Sequence, residues 1–129
     1  MAKERPGGMV LDSGALLAIE AGKFRDELRF AHLNDLSIRL SAGVLAQAWR
    51  GGSRLAAFLK QKLEVVALNA TEARRVGEFI AKHLRPGTRP DIVDAHTAML
   101  ALQTPSLVYR SDAGGLARYG VPPERLVLV

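Results

Sequence analysis

The chain has 129 residues, 48% of them apolar and 24% charged, which is enough for one packed domain and too few for two. There is no cysteine, so disulfides and thiolate metal sites are excluded. No apolar run reaches membrane-spanning length, and residues 1–8, MAKERPGG, lead into no signal-like segment, so a cytoplasmic protein with no membrane partner is the default expectation. A net charge of +5 and a pI near 10.1 favour an anionic partner such as nucleic acid. The arginines are spread along the whole chain, however, and such a surface would equally suit an acidic protein segment.

Residues 1–8 are polar, punctuated by Gly and Pro, and read as a loose lead-in. Met9-Val10-Leu11 reads as a buried strand over 9–12, with Asp12 at its end. Helices are predicted over Ser13–Glu20 and, after Gly22, over Lys23–Leu33, with Phe24, Leu28 and Ala31 at inward spacing. Leu36–Leu40 is a second strand. Ser41 is placed to cap a helix over Ala42–Trp49, whose apolar set is Val44, Leu45, Ala48 and Trp49. Arg50-Gly51-Gly52 closes that helix, and Arg54–Lys60 forms the next, with Leu55, Phe58 and Leu59 inward. Val65–Leu68 is a third strand. Asn69 or Thr71 then caps a long helix running to about His83, buried through Ala73, Val76, Ile80 and Leu84. A loop over 85–90 leads to a helix over Asp91–Leu102 with Ile92, Ala95, Met99 and Leu102 as core positions. Leu107–Tyr109 is a fourth strand, Ala113–Tyr119 a short helix and Leu126–Val129 a terminal strand. Strands and helices alternate throughout, which predicts an α/β domain of three layers around a mostly parallel sheet.

In a parallel sheet the carboxyl ends of the strands gather at one edge, where ligands bind. Asp12 and Asp112 each follow a strand, and Asp91 and Asp94 share one face in the first turn of a helix. Each of these four is also a natural helix cap when taken alone. Together they would repel one another, and a divalent cation is the usual physical remedy. Such ions orient or activate a water and stabilise charge on a phosphoryl oxygen, so a carboxylate metal site is the leading expectation. Phosphotransfer to Asp12 is the competitor, but position 14 is Gly rather than a second carboxylate. Neither the acidic pair and late Lys of a response-regulator site nor a glycine-rich phosphate loop is present.

The segments VLDSGALLAIE at 10–20, SAGVLAQAWRGG at 41–52, DIVDAH at 91–96 and YRSDAGGLARYG at 109–120 occur in an order that resembles the PIN domain family, and within it the VapC-type toxins of toxin–antitoxin pairs. The resemblance spans nearly the whole chain. It implies a Rossmann-like α/β/α sandwich and an endoribonuclease whose Mg²⁺ or Mn²⁺ is held by carboxylates. It also implies a cognate antitoxin that blocks the site, and toxins that often form homodimers. The family's site residues fall on Asp12, Asp94 and Asp112, with Asp91 assisting and Ser111 beside Asp112. Where the family usually has Glu, this chain has Gln47, an amide that carries no charge and is not a general base. Glu20, two helical turns beyond Asp12, is a candidate replacement.

Ser13 and Ser111 are placed to support site carboxylates by hydrogen bonding, although capping explains them equally. Arg85, Arg89 and Arg110 lie near the acidic edge in sequence and are candidates for phosphate contact, and Arg50, after Trp49, is a candidate to reach RNA phosphate or an antitoxin. His96 is a candidate for the rim of the site. His32 and His83 end helices, where the dipole explains them. Trp49 reads as core or as a dimer contact. Three rival readings follow: a catalytically weak PIN-like module that binds RNA or protein, motivated by Gln47, a different Mg²⁺-dependent phosphohydrolase, and a purely structural α/β domain.

Overall fold

A computed structural model describes residues 7–61, 63–103, 106–110 and 115–128. These residues form five strands, β1 (Gly8–Leu11), β2 (Ser37–Ser41), β3 (Glu64–Val66), β4 (Ser106–Arg110) and β5 (Leu126–Leu128), all parallel, in the order β3-β2-β1-β4-β5. Six helices connect them: α1 (Ser13–Glu20), α2 (Arg25–Leu33), α3 (Ala42–Ala48), α4 (Ser53–Leu59), α5 (Ala70–His83) and α6 (Ile92–Gln103). The expected three-layer α/β/α sandwich with its parallel sheet is the observed architecture.

Strand alternation divides the core between the two faces. Met9 and Leu11 of β1, with Ile38 and Leu40 of β2, pack against Ala15, Leu16, Ala31, Val44, Leu55 and Phe58 from the first four helices. Val10 of β1 and Val108 of β4 point the other way, onto Val76 of α5 and Ala95, Ala98 and Leu100 of α6. Central strand β1 is thus buried on both faces, which is why it reads as an unbroken apolar run. It lies between β2, where the chain winds one way, and β4, where it has crossed to the other side. That reversal is the position at which doubly wound sheets bind ligands.

Most departures from the sequence reading have a local cause. Helix α2 starts two residues late because Phe24 takes a left-handed conformation (φ 65°), with its ring edge-on to Tyr109 at 5.5 Å. Asn69, not Thr71, caps α5 through a bond from Glu72 N–H to Asn69 Oδ1 of 2.9 Å. Three assigned core positions are exposed: Ala73, Ile92 and Leu102, the last two by 45% and 36%. Helix α6 is apolar on most sides, so periodicity could not say which flank faces solvent. Trp49, at the end of α3, is 42% exposed rather than core. Of the helix expected over 113–119, the described part forms one 3₁₀ turn, Ala117–Tyr119, and a second such turn spans Pro123–Arg125. Residues 113 and 114 lie outside the described residues, as do 1–6 of the expected lead-in and Val129 of the terminal strand.

Candidate functional site

Asp12 is the first residue beyond β1. Its N–H donates to the carbonyl of Tyr109 in β4 at 3.0 Å, which fixes the residue at the seam between the two central strands. Its extended backbone turns the chain into α1, and its Oδ1 accepts the N–H of Ala15 at 2.8 Å. The residue is therefore the N-cap of α1. Asp91 does the same for α6: its Oδ1 accepts the N–H of Asp94 at 2.9 Å, and its carbonyl accepts the N–H of Ala95 at 2.9 Å.

These caps bring the carboxylates to one place. A polar cleft of about 250 Å³ is lined by Asp12 and Ser13 from the start of α1, Gln47 from α3, Asp91 and Asp94 from the start of α6, and Gly115 and Leu116 from the segment after β4. Asp94 presses against Gly115 so closely that a Cβ there would lie 2.3 Å from Asp94 Oδ2. Glycine is required at that point because the backbone itself forms the wall beside the carboxylate. Sequence separation between these elements reaches about a hundred residues, so the gathering is a product of topology.

The expectation of a Mg²⁺ or Mn²⁺ centre is corrected. Among the described residues, no group of three His, Asp or Glu side chains is close enough together to hold a metal ion. Lining one cleft is a weaker condition than converging on one point. The physical reasons are specific. Asp12 and Asp91 each direct an oxygen at a helix N-terminus. The position where the resemblance expects Glu is the amide Gln47, and Glu20 is engaged elsewhere. Its carboxylate accepts the N–H of Leu55 at 2.5 Å, and its carbonyl accepts from Arg54 at 3.1 Å, so it serves the start of α4. Asp112 and Ser111 lie outside the described residues.

His96 is also not where its rim role would need it. It is fully buried in α6, facing away from solvent. Its Nδ1 lies 2.7 Å from Ser41 Oγ and its Nε2 lies 3.3 Å from Glu72 Oε1. Ser41 Oγ already accepts the N–H of Gly43 as the cap of α3, at 3.1 Å. A carboxylate only accepts, so the neutral ring carries its proton on Nε2 toward Glu72 and takes the Ser41 hydroxyl hydrogen on Nδ1. Burial holds the His96 pKa below its ordinary value of 6.5, the bond to Glu72 opposing that only in part. Burial likewise raises the pKa of Tyr109, reinforced by the charge of Glu27.

The arginines separate. Arg50 is exposed and turns its Nη1 back to the carbonyl of Trp49 at 2.8 Å. Arg110 is half-buried at the end of β4. Neither lines the cleft, whereas Arg89 lines a second depression that shares Asp91 with it. Sequence reasoning missed Tyr119, whose buried hydroxyl accepts the N–H of Asp91 at 3.1 Å and donates to its carbonyl at 3.2 Å. The available signal was a tyrosine beside apolar core residues, since a buried phenol needs a polar partner. Histidine His83, at the end of α5, bonds the carbonyl of Phe79 at 2.9 Å and packs on its ring.

The described residues contain no helix long and apolar enough to cross a membrane. In comparisons with known proteins, no family model matches the chain and no curated protein matches it.

Proposed function

We propose that this protein is a PIN-like hydrolase acting on RNA phosphodiester bonds at the cleft lined by Asp12, Asp91 and Asp94. The observation that carries the reading is the meeting of Asp12, at the end of the central strand, with the two carboxylates that open α6, at the edge where the sheet's winding reverses. Sequence-distant carboxylates in one polar cleft suit the orientation of a water, and acceptance of its proton, during attack on phosphorus. The capping bond of Asp12 restrains its rotamer and so favours that orientation. The net charge of +5 supports an anionic polymer as substrate.

The role of a toxin restrained by an antitoxin, and a toxin homodimer, belong to the same proposal through the sequence resemblance. Growth arrest on expression, relieved by a co-expressed neighbouring gene product, is the expected behaviour. A second reading is favoured by Gln47 in the cleft wall and by the lack of a three-residue acidic cluster among the described residues. In it, the domain binds RNA without cutting it.

Labelled single-stranded RNA incubated with pure protein separates the two. On the first reading the wild type cleaves and Asp94→Asn lowers the rate by about 10²-fold or more, the size of effect expected when a positioned proton-transfer group is lost. Equal rates for wild type and D94N would place the chemistry outside this cleft. Binding with no cleavage under any salt condition would establish the second reading.

A further inference from the structure

Beside the cleft, across Asp91, lies an open depression of about 460 Å³ lined by Arg89, Pro90, Asp91, Ile92, Val93 and Arg118. Its two arginines come from segments 29 positions apart, the loop before α6 and the 3₁₀ turn after β4, and both are exposed. Arg118 is not a loosely held surface side chain. Its guanidinium sits 5.1 Å from the centre of the Tyr119 ring, and its Nη2 donates to the Tyr119 hydroxyl at 3.4 Å. That hydroxyl in turn brackets the backbone of Asp91. One buried tyrosine therefore ties the Arg118 side chain to the cleft wall, which lowers the entropy lost when the arginine engages a ligand. Between the arginines Ile92 stands 45% exposed, an unusual place for isoleucine at the start of a helix whose other flank is core.

We propose that Arg89 and Arg118 form a phosphate-binding subsite that receives the RNA strand next to the cleft, with Ile92 as an apolar floor for a ribose or base. The inference rests on the RNA reading above and adds where the strand runs. Among the described residues the charged side chains lining the cleft are all carboxylates, so it repels the polymer it is meant to process. Cations two positions from its edge residues Asp91 and Leu116 offset that repulsion and hold the neighbouring phosphate. Part of the helix end is already engaged. The N–H groups of Asp94 and Ala95 are taken by the Asp91 side chain and carbonyl. The guanidinium groups of Arg89 and Arg118 suit phosphate through paired N–H donors.

The test is titration of a labelled single-stranded RNA against the full chain, followed by anisotropy, between about 50 and 200 mM salt. Wild type is compared with R89Q, R118Q and the double variant, and with R25Q/R29Q, which removes the same charge from exposed positions of α2. Loss of each phosphate contact should lower the slope of log affinity against log salt by about 0.7, so the double variant should lose about 1.4 and the α2 variant close to none. A double variant indistinguishable from R25Q/R29Q, with wild type binding RNA, would overturn the subsite and leave the functional reading intact. Absence of RNA binding by wild type would overturn both. Cleavage supplies an independent readout: R118Q should raise KM with little change in kcat, because the lost interaction is made equally before and during the chemical step.

Discussion

Asp12 carries two tasks, and they respond differently to substitution. As a cap it satisfies the N–H of Ala15, and as a cleft residue it brings negative charge to the edge of the sheet. Asparagine is as good a cap as aspartate, so Asp12→Asn should leave stability within about 0.5 kcal/mol while abolishing cleavage. Asp12→Ala removes both and should cost about 1 kcal/mol, read as a lower urea midpoint at unchanged slope. A D12N protein as unstable as D12A would mean that the charge itself, through the helix dipole, is what holds α1. The capping task was visible from the residue's place before a helix. That it also belongs to a shared site was suggested in the sequence only by adding Asp91, Asp94 and Asp112, because a single carboxylate at a helix start carries no information about its neighbours.

Helix α4 shows how an element can depend on a residue far from it in sequence. Its N-cap is Gly52, which has no side chain to offer, and the missing acceptor is supplied by Glu20 from the end of α1. The two fit so tightly that a Cβ on residue 52 would lie 2.3 Å from the Glu20 carboxyl carbon. Glu20→Ala should therefore destabilise the protein by about 1–2 kcal/mol and Glu20→Gln by less, since the amide oxygen still accepts. Cleavage per folded molecule is the control: a drop beyond the loss of folded protein would return Glu20 to the cleft. Element boundaries were readable to within one or two residues wherever a cap or glycine marked them, as at Ser41 and Asn69. A boundary shifted by two residues where tertiary contact decided, as at Phe24, and the buried face was unreadable where an apolar helix offered no polar side, as at Ile92 and Leu102. Glu20 was ambiguous for the same reason. Its spacing from Asp12 was plain, but the direction of its side chain depended on where α4 would pack.

At the scale of the molecule, Ser41, His96 and Glu72 tie the end of β2 to α6 and α5, the two helices of one layer. The ring is held neutral in the folded state, whereas in the unfolded chain it titrates at its ordinary value of 6.5. A lowered folded pKa means that the unfolded state binds more protons below 6.5, so this contribution is complete above that pH and is lost progressively as pH falls toward the folded value. The urea-unfolding free energy should decline from about pH 7 to pH 5 with a slope of up to about 1.4 kcal/mol per unit from this one proton. A flat profile across that window would show that protonated His96 is accommodated as well as the neutral ring. The alternation of strands and helices made the layers and the parallel sheet legible in advance. The distances between carboxylates were not legible, because topology brings residues to a common edge but side-chain packing decides whether they share a point. That gap is why the fold expectation held while the metal centre did not.

The two outer strands, β3 and β5, are each three residues long. On the β3 side Arg39 of the neighbouring strand reaches out to pair with Glu64 at 3.1 Å. A strand arriving from another chain would find few backbone groups to pair with there, and would have to settle against a charged pair to reach them. The brevity of the margins thus protects a sheet rich in valine and leucine from growing by addition of further chains. A longer or uncharged β3 would remove that protection before it changed anything in the cleft.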